Sequence, residues 1–140
     1  MLQVNLATAG QYLDTLEPHG TFCFQTFDDT RHKRSALVKQ LHGKLEDVGF
    51  DLVTANEEGG GVFVTINTTD GTGRKTGNIT KVRACFIDQD AGQIPTAWHI
   101  PPTMVVSRDP THWHAYWVLT DCGLDAFSTP RLTREKLRIS

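Results

Sequence analysis

Residues 112–119 read HWHAYWVL and residues 81–90 read KVRACFIDQD, and the way these two stretches fold decides the architecture of the chain. Alternation in the first predicts a strand, with His112, His114, Tyr116 and Val118 on one face and Trp113, Ala115, Trp117 and Leu119 on the other. The tryptophan face is the one to expect in a core. The second stretch opens with the strand-like run KVRACFID and passes into a loop containing QDAGQIP. TMVVS, residues 103–107, adds another strand candidate after an irregular run to Pro101 and Pro102.

Working outward, VFVTIN (62–67) reads as a strand fed by the turn EEGGG, and TTDGTGRKTGN (68–78) is too rich in Gly, Thr and Asn for regular structure. GTFCFQTF (20–27) reads as an internal strand, because both of its alternating faces carry apolar residues. In SALVKQLHGKLEDVGF (35–50), the spacing of Leu37, Leu41, Leu45 and Val48 predicts a helix running through Gly43 and ending at Gly49. A short helix through Leu16 is expected near the start, capped by Thr8, with Tyr12, Leu13 and Leu16 on one face and Pro18 and Gly20 after its end. Strands outnumber helices in the second half and do not alternate regularly with them. The expected class is therefore α+β, an antiparallel or mixed sheet with helices packed on it.

A chain of 140 residues suits one domain, here 1–140, and folding at that length buries about two-thirds of the unfolded surface. The net charge of -2 excludes a whole-molecule basic field, so any polyanion must meet a local patch. Cys23, Cys85 and Cys122 have no metal-ligand spacing and read as reduced core thiols. The N-terminal MLQVNLATAGQYLD lacks the pattern of a signal peptide, and apolar runs are only a few residues long. A soluble cytoplasmic protein with no membrane partner is the expectation.

Within CFIDQD, strand geometry puts Asp88 and Asp90 on one face, about 7 Å apart. Paired carboxylates of this kind suit Mg²⁺ or Mn²⁺, hard cations that keep positions open for substrate phosphates. A lone Asp-x-Asp more often just solvates a strand end, and a lone histidine more often bonds backbone. Their pairing on neighbouring strands is what suggests a site, with His114 facing the carboxylates and His112 near the strand mouth. Arg74, Lys75, Lys81, Arg83 and Arg108 surround the same segments, and arginine forks bind phosphate bidentately. A metal hydrolase that joins HxH and DxD in one Zn²⁺ or Mn²⁺ site is a weaker option.

In order and spacing, GGGVFVTINTTDGTGR, NITKVRACFIDQD and PPTMVVSRDPTHWHAYWVL resemble the RepB-like primase branch of the archaeo-eukaryotic primase superfamily. Asp88 and Asp90 match its first motif, and His114, followed by Tyr116 and Trp117, its second. The resemblance implies a primase fold whose sheet is like that of an RNA-recognition module. It also implies divalent metal at Asp88 and Asp90, catalytic roles for these two and His114, and nucleotide contacts from His114, Arg108, Ser107 and His112. Nucleic-acid contacts from Arg74 and Arg83 belong to the same expectation, with nucleoside triphosphates and a DNA template as partners in the cytoplasm of a host cell. The family's third acidic motif has no counterpart before Ser140, and the tail STPRLTREKLRIS departs from the family pattern, which together suggest a C-terminally truncated domain. The alternative is a catalytically deficient phage or plasmid protein that grips nucleic acid or inhibits a host defence protein.

Overall fold

A computed structural model of the chain describes residues 5–127; the tail STPRLTREKLRIS lies outside them. The chain divides into two compact units, Met1–Thr80 and Lys81–Ser140.

In the first unit, helix α1 (Leu6–Leu16) is capped by Asn5, whose side chain accepts a hydrogen bond from the Thr8 amide at 3.0 Å. The cap is thus three residues before the expected Thr8, which sits inside the first turn as the capped donor. Leu13 and Leu16 are buried as the helical face requires. Strand β1 (Phe22–Asp28) is central in a sheet of order β2-β1-β3 with β2 (Lys39–Gly43) and β3 (Gly60–Thr65), both antiparallel to it. Its internal position agrees with the sequence pattern, and all its residues but Phe27 are buried.

The helix expected over 35–50 is not formed as one element. Residues Ser35–Leu37 make a single 3-10 turn, β2 follows, and helix α2 runs only from Leu45 to Glu57. The reason is tertiary. Thr26 of β1 donates to the Leu37 carbonyl at 2.6 Å and accepts from the Lys39 amide at 3.1 Å, while Gln25 Nε2 donates to the Lys39 carbonyl at 2.9 Å. These bonds hold the segment extended beside β1, and Gly43, at φ +152, takes a backbone conformation that no helix contains. Helix α2 starts beyond it, with Glu46 and Asp47 favourably placed at the positive end of the helix dipole. Gly49 lies inside this helix, where an added Cβ would come 3.8 Å from Leu6, an ordinary contact distance, and it does not end the helix. Termination falls to Gly59, at φ +96 just after the Glu58 cap. The loop over 68–78 contains more order than its composition suggests, since β4 (Thr68–Thr69) pairs with β5 (Ile79–Lys81).

The second unit is a three-stranded sheet of order β6-β8-β7, from β6 (Ala84–Gln89), β7 (Met104–Asp109) and β8 (His112–Val118), all antiparallel. KVRACFID is broken at Val82 and Arg83, so Lys81 belongs to β5 and the long strand starts at Ala84. Trp113 and Ala115 are buried, as expected of the tryptophan face of β8. Trp98 meets Trp113 and Trp117 edge-on, each with ring centroids 5.7 Å apart. Trp113 Nε1 donates to the Gly92 carbonyl at 2.6 Å and Trp117 Nε1 to the Ile100 carbonyl at 3.0 Å, so two indoles pin the segment that joins β6 to β7. LDAF forms one 3-10 turn, Leu124–Phe127. The fold is α+β with antiparallel sheets. No helix of the described residues is long and apolar enough to cross a membrane.

All three cysteines are free thiols. Only Cys23 is fully buried, whereas Cys85 and Cys122 are half-buried, and burial pushes the thiols of Cys23 and Cys85 up from their ordinary value.

Candidate functional site

The register of β6 against β8 places Asp88 directly opposite His114. Their side chains meet, with His114 Nε2 3.1 Å from Asp88 Oδ1, and both are about half exposed, at 44% and 54%. On the other side of the ring, Nδ1 is 2.9 Å from the Tyr116 hydroxyl, which is carried one alternation further along the same face. When that hydroxyl donates to Nδ1, the ring proton stands on Nε2 and points at Asp88. A half-exposed pair of this type contributes about 1 kcal/mol or less. Either partner can therefore be drawn to a stronger ligand at little cost.

Asp90 follows β6 at a bend and lines a hollow of about 250 Å³ together with Val106, Arg108, His112, Trp113 and His114. Arg108 is held loosely, with its Nε 3.4 Å from Asp109 and its side chain 72% exposed, so its guanidinium fork is available to an anion. His112 is held more firmly. Asp109 accepts from the His112 and Thr111 amides at 3.0 and 2.9 Å, and its carboxylate lies 2.8 Å from His112 Nδ1. The His112 side chain first, and the Thr111 amide after it, hold the Asp109 carboxyl well below the usual carboxylate range. His112 therefore presents only Nε2 outward.

Asp88 and His114 thus share one face of the sheet, and Asp90, Arg108 and His112 line one hollow with His114, Arg108 standing at the register shift between Ser107 and Asp109. Ser107 does not join them, because it opposes Trp113 and so points to the other face, whereas its neighbour Val106 opposes His114. Arg83 is buried, at 2% exposure, which withholds it from surface phosphate. Arg74 belongs to the first unit, where its Nε donates to Gln25 at 3.1 Å and its guanidinium lies 5.5 Å over the Phe27 ring.

Asp88 and Asp90 are exposed carboxylates at alternate positions, hard oxygen donors of the chemical type that magnesium takes. Among the described residues no three His, Cys, Asp or Glu side chains gather to hold a metal ion, so the mixed HxH and DxD site is not assembled.

Three features escaped the sequence reading. The Asp109 clasp had a signal in the Asp-Pro pair that begins its turn. The Tyr116 bond to His114 was implicit in the alternation that places both on one face. The clasp at Asp28 had none: this buried carboxylate accepts from the Arg34 amide and Nε and the Thr30 amide, at 2.7, 2.8 and 2.8 Å, within the polar stretch DDTRHKRS. Comparison with protein-family models, curated proteins and solved structures returned no match.

Proposed function

We propose that the β6-β8-β7 face binds a divalent metal ion and a nucleoside triphosphate, in a primase-polymerase-like domain of a phage or plasmid that acts on a DNA template in the host cytoplasm. The observation that carries this reading is the direct opposition of Asp88 and His114, with Asp90 and Arg108 lining the hollow that His114 also lines. Asp88 and Asp90 would hold Mg²⁺ or Mn²⁺, which when bound supplies charge neutralisation at the transferred phosphoryl group. His114, turned from Asp88, donates Nε2–H to a phosphate oxygen, and Arg108 offers a bidentate fork to the same group. Tyr116 keeps the imidazole oriented during that exchange.

A second reading, a domain that grips nucleic acid or a host defence protein without catalysis, is favoured by one observation: among the described residues no third carboxylate joins Asp88 and Asp90. Calorimetry with Mn²⁺ and a nucleoside triphosphate, followed by a primer-synthesis assay, separates the readings. Binding should be lost in Asp88→Asn, a nearly isosteric change at a half-exposed position that leaves the fold intact. Nucleotide incorporation that depends on Asp88 establishes the enzyme. Binding without incorporation favours the second reading, and a folded wild-type protein that binds neither metal nor nucleotide at millimolar concentration overturns the first.

A further inference from the structure

We infer that a nucleotide on this face lies along the strands with its base stacked on Phe86 and its phosphates toward Asp90 and Arg108. This orientation rests on the nucleotide reading above. The two strand registers arrange the face in rows: Phe86, Tyr116 and Met104 in one, then Asp88, His114 and Val106 in the next. Beyond these, Asp90, His112 and Arg108 line the far end of the hollow. Alternate residues on a strand stand about 7 Å apart, so the span from Phe86 to Asp90 is about 14 Å, within reach of an extended nucleoside triphosphate. Character changes in one direction only, from an aromatic and apolar row through the acid-imidazole pair to a charged end.

Phe86 is built as a platform. One side of its ring stacks on Tyr116, with centroids 5.6 Å apart and planes 27° apart, while the residue as a whole is 49% exposed. Tyr116, its partner on the neighbouring strand, is buried at 3%. A half-exposed ring held by one stacked neighbour offers π surface on which any base stacks. The reverse orientation would press phosphates onto Phe86 and Met104, whose side chains carry neither charge nor hydrogen-bond donor. The row also sets selectivity. The Tyr116 hydroxyl is bonded to His114, and Phe86 and Met104 have no hydrogen-bonding groups, so base edges go unread and purines and pyrimidines bind alike.

The test is calorimetry in Mn²⁺ with ATP, CTP and inorganic tripolyphosphate as separate titrants. Wild type should bind ATP and CTP within a few-fold of each other and both more tightly than tripolyphosphate. Phe86→Ala should weaken both nucleotides on the order of tenfold, the scale of one lost base stack, and leave tripolyphosphate binding unchanged. Phe86→Trp should restore nucleotide affinity. Equal binding of ATP by Phe86→Ala and wild type overturns the orientation, as does an equal loss of tripolyphosphate, which would make the ring a merely structural support. Wild-type protein that binds tripolyphosphate as tightly as ATP also overturns it while the metal-phosphate reading survives. Wild-type protein that binds none of the three titrants removes that reading and the orientation together.

Discussion

Replacing Trp113 by Phe tests whether the indole that lies behind the site governs the loop in front of it. Trp113 is 5% exposed, meets Trp98 edge-on, and donates Nε1–H to the Gly92 carbonyl at 2.6 Å. Phenylalanine keeps most of the ring but removes the donor. Gly92 is half-exposed, so water can replace the lost donor, and the net cost of that bond is about 1 kcal/mol rather than the full penalty of an orphaned carbonyl. The smaller ring also forfeits about 40 Å² of buried apolar area, about 1 kcal/mol, and leaves a void that adds up to about 1 kcal/mol more. The second unit should therefore lose about 2–3 kcal/mol. Native-state hydrogen exchange at the amides of β6 and β8 reads that unit directly, and exchange through its opening should quicken roughly 30- to 150-fold. Mn²⁺ affinity should fall several-fold as well, because Asp90 lies on the freed segment, whereas the Asp88–His114 pair, held by the ladder, should persist. An acceleration below about threefold, with unchanged Mn²⁺ affinity, would refute the view that this indole anchors the loop.

Thr26→Val keeps the volume of a fully buried residue but removes its bonds to Leu37 and Lys39; equilibrium denaturation should show a loss of about 1–3 kcal/mol, and a neutral result would mean that the extended path of 37–43 is set by other contacts. Acid should destabilise both units. The Arg34 guanidinium, and Thr30 after it, hold Asp28 well below its ordinary range, as His112 and Thr111 hold Asp109. A depressed folded-state value gives stabilisation that is complete above the unfolded value near about 4 and is lost as pH falls below it. Melting temperature followed from about pH 5 to pH 2 should drop steeply. Asp28→Asn should flatten the drop, and an unchanged slope in that variant would show that the clasp adds no acid sensitivity.

The legible parts of the sequence were those in which one strand carries its own two-fold pattern. β8 was readable because His112, His114 and Tyr116, each with a polar group, alternate with the apolar-faced Trp113, Ala115 and Trp117, and β1 because apolar residues occupy both of its faces. From those patterns the shared face of Asp88 and His114 followed, since it needs only alternation and adjacency. The segment 35–50 was illegible for the opposite reason. Its leucines keep helical spacing, and what overrides them is the side chain of Thr26, nine or more residues away in sequence, bonding to main-chain groups on either side of Val38. That Ser107 falls on the face of Trp113 and not on that of His114 was illegible, because only register, not composition, decides which face a residue takes. The burial of Arg83 is likewise invisible to a reading in which arginine is by habit a surface residue.

The tight reversal between β7 and β8, in which Asp109 ties down Thr111 and His112, has a genetic consequence. Because neighbouring residues of β8 point to opposite sides, a change of one codon that slipped β8 against its partners would turn the hairpin inside out, setting His114 among the indoles and Trp113 in water. Natural variants and selected libraries should accordingly change the letters of this corner freely before they change its length.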